Sequence, residues 1–164
     1  MSIRFGILTV SDRSARGERP DLSGPALVEL VTAQGWKIER MAVIADDLDE
    51  LRKTLSAWAD GADLDVILTT GGTGFAARDI TPEATRLVIE REAPGLAEAM
   101  RFESLKDTPH AMLSRALAGI RGKVLIINLP GSPKAALENL QVVLPVLPHA
   151  VELLQDHPEA ERHH

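Results

Sequence analysis

Four short stretches of this chain, each followed by a polar or glycine-rich segment and then by a helix-forming one, constrain its fold more than any other feature. They are Ile3–Val10 (IRFGILTV), Lys37–Ile44 (KIERMAVI), Asp65–Thr70 (DVILTT) and Val124–Leu129 (VLIINL). The second alternates, as a strand with one half-covered face does, and the others read as buried strands. The intervening segments carry helix signals. Ser23–Gly35 has Ser23 as a cap and Gly35 as a stop, and Leu48–Asp60 places Leu48, Leu51, Leu55 and Trp58 at helical spacing. A further helix starts at Thr81, with Thr81 as cap, Pro82 at the first position and Glu83 in the first turn. Others are expected over Gly95–Leu105, over Ser132–Leu144 with Ser132 as cap, and at the end of the chain from Pro145. A short strand and a glycine turn at Gly122 precede the last apolar run. Such alternation predicts an α/β fold: three layers, a mostly parallel sheet with helices on both faces.

The length of 164 residues suits one domain, expected over 1–156, with a polar C-terminal tail at 157–164 whose terminal histidine pair has no assigned role. A formal net charge of −6 argues against nucleic acid as a partner, and 3% aromatic residues with no Tyr argue against a base-stacking platform. There is no apolar run of membrane-spanning length, and the N-terminal residues enter a strand at once, so no membrane partner is expected. The chain has no cysteine, which excludes disulfides, thiolate metal sites and a cysteine nucleophile. The simplest reading is a cytoplasmic protein.

In a parallel α/β sheet, ligands sit beyond the carboxyl ends of the strands, where strand order reverses. Read together, the four ends are SDRSARGERPD (11–21), ADD (45–47), TGGTGFAARD (70–79) and PGSPK (130–134). They are the most polar or glycine-rich parts of the chain, and the fold brings all four to one edge. Gly72-x-Gly74-x-x-Ala77 superficially fits a dinucleotide fingerprint. That fingerprint needs a helix to open inside the loop, whereas here the helix has its own start at Thr81. No Lys-Ser or Lys-Thr follows at P-loop spacing. The loop is therefore either a tight turn or a nest of amides for phosphate, with the Thr70 and Thr73 hydroxyls as added donors. Asp79 and Asp46, from two strand ends, suggest a magnesium site completed by water and phosphate oxygens; the alternative is that both are turn or cap residues. Ser132 and Lys134 offer a second anion site at a helix start. The connection 11–25 is long for its type, and Ser11, Asp12, Asp21 and Ser23 in it are turn-builders as well as candidate ligands. His110 and His149 are isolated and support neither a metal site nor a nucleophile triad.

The stretches LTVSDRSARGERPDLSGPAL, LTTGGTGFAARDITPEAT, LSRALAG and INLPGSPKAALENL resemble, in order and over nearly the whole chain, the molybdenum-cofactor biosynthesis proteins of the MogA and MoaB type, and the matching domains of plant proteins and gephyrin. The resemblance implies the fold of that family and adenylyl transfer from ATP, with Mg²⁺, to molybdopterin. It implies Asp46 and Asp79 as the essential, metal-holding aspartates, with Asp47 an alternative for the first. A nucleotide loop follows at Thr70, Gly71, Gly72, Thr73 and Gly74. The molybdopterin side would comprise Ser11, Asp12, Asp21, Ser114, Asn128, Pro130, Gly131, Ser132 and Lys134. The resemblance also implies a homotrimer and contact with the molybdenum-insertion protein. Phe75 either covers the adenine or packs on the loop. The alternatives are a member that binds molybdopterin without efficient transfer, or a scaffold. A nicotinamide-dependent oxidoreductase is disfavoured by the displaced helix start.

Overall fold

The computed structural model describes residues 2–158 and 160. The terminal histidine pair and most of the expected tail lie outside the described residues. The chain begins with β1 (Arg4–Val10), a single helical turn α1 (Asp12–Ala15), α2 (Ser23–Ala33), β2 (Lys37–Ile44), α3 (Leu48–Asp60) and β3 (Val66–Thr70). It continues with α4 (Thr81–Val88), β4 (Arg91–Glu92), α5 (Pro94–Ser104), β5 (Ala118–Arg121), β6 (Val124–Leu129), α6 (Pro133–Val143) and α7 (Leu147–Leu154). Short 3₁₀ turns occupy Pro109–Leu113 and Leu144–Val146.

One six-stranded sheet has the order β2-β1-β3-β6-β5-β4. The pairs β1–β2, β1–β3 and β3–β6 are parallel, and the two short strands β5 and β4 add antiparallel pairs at one side. The mostly parallel sheet read from the sequence is thus observed. Alternate residues of each strand enter different cores, as the period of two requires. Phe5, Ile7, Val66, Leu68, Leu125 and Ile127 pack on one face with Leu27 and Val31 of α2, Met100 of α5 and Leu140 of α6. Leu8, Val10, Ile67, Val124 and Ile126 pack on the other, against Leu51, Leu55 and Trp58 of α3 and Ala84 and Val88 of α4.

Two cap assignments need correction. Ser23 and Thr81 are the first helical residues, and neither caps its helix with its side chain. The start of α2 is instead held by Asp21, whose Oδ1 accepts the Gly24 N–H at 3.0 Å. The α1 turn was not anticipated from sequence; Ser11 caps it by accepting the Ser14 N–H at 3.3 Å. Ser132 caps α6 as expected, accepting the Ala135 N–H at 3.1 Å.

The first crossover runs from β1 to β2 on one side, and the second returns from β2 past β1 to β3 on the other. The register sets Val10 beside Ile44, Thr9 beside Thr70, and Thr70 beside Leu129. The four strand ends therefore share one edge, and the point of reversal falls between β1 and β3.

Candidate functional site: a cavity at the carboxyl edge of the sheet

A cavity of about 710 Å³ opens at this reversal point. The connection after β1, Asp46 after β2, residues 70–72, 78 and 79 after β3, and residues 131–133 after β6 all line it.

The segment after β1 is tied to the segment after β2 by a reciprocal pair. Asp46 Oδ2 accepts the Asp12 N–H at 2.9 Å, and Asp12 Oδ1 accepts the Asp46 N–H at 2.8 Å. Asp47 turns away from this arrangement: its side chain caps α3, accepting the Glu50 N–H at 2.8 Å. The geometry thus separates the two adjacent aspartates, one facing the cavity and one serving a helix. Asp21 lines the cavity while holding its own loop, taking the Thr9 hydroxyl at 2.9 Å on the oxygen not used for Gly24.

Gly71 and Gly72 have φ of +104° and +69°, which side chains with a Cβ rarely adopt. Space demands glycine here too, because a Cβ on Gly71 would run into the Val10 carbonyl oxygen and one on Gly72 into the Thr81 hydroxyl. The Gly71 N–H donates to the Leu129 carbonyl at 3.1 Å, and the Thr81 hydroxyl and N–H donate to the carbonyls of Gly71 and Gly72 at 2.9 and 3.1 Å. The Thr70 hydroxyl donates to the Pro130 carbonyl at 2.7 Å. That proton joins β3 to the loop after β6. Thr73 is buried, and neither it nor Gly74 lines the cavity. Phe75 does not pack into the core, being 69% exposed.

Asp79 is a turn residue that also faces the cavity. Its Oδ2 accepts the Ala76 N–H at 3.0 Å and its own N–H donates to the Ala76 carbonyl at 2.9 Å, so it closes a turn. It also lines the cavity, close enough to Asp46 for their charges to interact. Partial burial pushes the Asp46 carboxyl above its usual range. The N–H of Asp12 and the charge of Arg78 oppose that rise, while the carboxylates of Asp12 and Asp79 add to it.

Gly131 and Ser132 line the cavity at the start of α6. Ser132 accepts a hydrogen bond there, so its own hydroxyl proton remains available to a ligand. Four of the residues implied for molybdopterin lie elsewhere. Asn128 is completely buried, with its amide nitrogen donating to the Thr69 and Thr85 hydroxyls and its oxygen accepting the Leu117 N–H; it joins strands and helix within the core. Ser114 lines a separate cavity of about 220 Å³ beside α5. Lys134 projects outward beside Glu138, with 86% of its side chain exposed. Pro130 contributes the carbonyl that holds Thr70. These four therefore stand outside the cavity that Ser11, Asp12, Asp21, Gly131 and Ser132 line together.

Three charged residues of the lining were missed: Arg13, Arg19 and Arg78. Their signal was present, because they sit in the long connection after β1 and beside Asp79 in the glycine loop. An acidic chain that binds anions needs local cations, and these arginines occupy the segments already singled out. Among the described residues, no three acidic or imidazole side chains form a ready-made cation cage.

Residues 6–149 match the model of a family described as a probable molybdopterin binding domain. A molybdopterin adenylyltransferase of Helicobacter pylori strain J99 is 46% identical over 93% of this chain and 88% of its own length. The molybdenum cofactor synthesis protein cinnamon of Drosophila melanogaster is 47% identical over 94% of this chain, which spans 26% of that longer protein. Among solved structures, the molybdopterin biosynthesis enzyme MoaB of Thermus thermophilus superposes with a TM-score of 0.89 at 52% identity, covering 94% of this chain and 97% of that one.

Proposed function

This chain belongs to the family of molybdopterin-binding domains, and from that membership we propose that it is a molybdopterin adenylyltransferase, transferring AMP from ATP to the molybdopterin phosphate and releasing pyrophosphate. The observation that carries the reading is the meeting of Asp46, Asp79, the paired left-handed glycines and the start of α6 in one cavity at the reversal point of the sheet. A phosphate oxygen of molybdopterin attacks the α-phosphorus of ATP, the bond from that phosphorus to the bridging oxygen breaks, and pyrophosphate leaves. The nucleophile is already ionised near neutral pH, so the chain needs no general base. Its work is positioning and charge stabilisation. Arg13, Arg19 and Arg78 supply positive charge along the lining, and the start of α6 with the Ser132 hydroxyl suits a phosphate group.

The donor set fits Mg²⁺. Asp46 and Asp79 each have an oxygen outside their backbone hydrogen bonds, and Asp46 sits among like charges that a cation would offset. Bound there with ATP, the ion would neutralise charge on the phosphate oxygens. The binding residues in this reading are Ser11, Asp12, Asp46, Thr70, Gly71, Gly72, Asp79, Gly131 and Ser132, with the three arginines added. We assign one molybdopterin-binding domain to 1–156, place it in the cytoplasm, and take the assembly to be a homotrimer that contacts the molybdenum-insertion protein. Exposed Phe102, Leu105 and Met112 are consistent with subunit association.

The test is pyrophosphate release from Mg-ATP with and without molybdopterin, for the wild type, Asp46→Asn and Asp79→Asn. Molybdopterin-dependent release that both substitutions remove supports the reading. A wild type that binds molybdopterin and releases nothing would leave a carrier or scaffold.

A further inference from the structure

The glycine loop has little regular structure between Gly72 and Ile80, yet Asp79 must keep its place beside Asp46. One side chain from a distant part of the chain spans this loop. Arg115, which follows the 3₁₀ turn Pro109–Leu113, donates from Nε to the Gly74 carbonyl at 2.7 Å and from Nη2 to the Asp79 carbonyl at 2.7 Å. Its Nη1 reaches both oxygens of Glu83 in the first turn of α4, at 3.0 and 2.7 Å. Its own N–H donates to the Thr73 carbonyl at 2.8 Å. A single planar guanidinium thus grips the start of the loop, its end and the helix beyond.

We propose that Arg115 is a positioning residue that holds the nucleotide loop closed and so sets where the Asp79 carboxylate stands. Arg115 does not line the cavity and touches no reacting group. It acts on the backbone at both ends of the segment 74–79, and Glu83 fixes the orientation of the fork. Lysine cannot replace it: an ammonium is a point donor and cannot satisfy carbonyls at two places and a carboxylate together. The proposal rests on the adenylyl-transfer reading for its kinetic consequence, since a misplaced loop penalises the positioning of ATP while leaving the pterin side intact.

The experiment compares wild type with Arg115→Gln, Arg115→Lys and Glu83→Gln, with Arg40→Gln as a remote control. Arg115→Gln and Arg115→Lys should each lower kcat/KM for Mg-ATP about tenfold or more. Molybdopterin affinity should stay within about twofold of wild type, a split that a general loss of structure would not produce. Glu83→Gln should show a smaller loss in the same parameter. Limited trypsin digestion supplies a readout without turnover, because cleavage after Arg78 should accelerate in the same variants. Should Arg115→Gln fail to fold, the lysine and Glu83 variants carry the test. Wild-type kcat/KM in a folded Arg115 variant, or parallel losses of ATP and molybdopterin binding, would overturn the proposal. If the wild type shows no molybdopterin-dependent release, the transfer reading fails, and unaltered trypsin cleavage after Arg78 would then overturn the clamp as well.

Discussion

The two ends of the sheet treat a carboxylate in opposite ways. At the amino edge, Asp65 just before β3 is 5% exposed and fully engaged. It accepts the Arg4 N–H at 2.8 Å, the Arg4 guanidinium at 3.2 and 3.1 Å, and the Gln155 amide at 3.0 Å. At the carboxyl edge, Asp46 accepts a backbone N–H from Asp12, and two of the charges acting on it share its sign. Removing a buried carboxylate that is paired within the protein strands its partners and costs stability, whereas one held among like charges opposes folding and is suited to an outside cation. That difference, more than acidity itself, separates the two ends.

The largest expected effect that can break this comparison is at Asp46. Asp46→Asn keeps an oxygen for the Asp12 N–H and removes the charge, so turnover should fall by about 10² or more with little change in fold, measured as molybdopterin-dependent pyrophosphate release beside thermal unfolding. The inverse is expected at the other edge. Asp65→Ala strands Arg4 and Gln155 and should cost about 2–4 kcal/mol, lowering Tm by roughly 5–15 °C, while kcat measured well below Tm is retained. A stable but inactive Asp65 variant would erase the distinction.

A finer cut separates neighbours on one strand end. Asp47→Ala removes the cap of α3 and should cost about 1 kcal/mol in denaturant unfolding. It should leave pyrophosphate release near wild type, because Asp47 points to the Glu50 N–H and away from the cavity. Activity lost at Asp47 and kept at Asp46 would exchange their roles.

What could be read in advance follows the range of the interactions involved. The bounds of β2 (Lys37–Ile44) and α3 (Leu48–Asp60) coincide with the expected ones, because alternation and helical spacing are local patterns. The convergence of the strand ends was legible too, since parallel topology dictates it. Partners of loop side chains were not. Thr81 looked like a cap, but its hydroxyl is drawn to the Gly71 carbonyl ten residues back. Asn128 looked like a ligand, but its amide is consumed by two hydroxyls and an N–H brought from β3, α4 and the stretch before β5. Arg115 gave no local sign of its role, because its acceptors lie 36 and 41 residues earlier.

The smallest expected effect tests the sign of the charge at Asp46 directly. In the metal-free protein, burial raises its folded carboxyl above the ordinary value, so the folded state binds the proton more tightly than the unfolded one. The advantage of the protonated form is complete below the unfolded value and is lost as pH rises through the folded one. At neutral pH the ionised carboxylate therefore opposes folding, and Asp46→Asn should be slightly more stable than wild type in chelator. That margin should shrink as pH is lowered into the carboxylate range, where both states of the wild type become neutral. Paired thermal melts across this range decide it. A margin that is absent at pH 7, or that grows on acidification, would mean that Asp46 is as well paired as Asp65. The contrast between the two edges of the sheet would then have to rest on exposure alone.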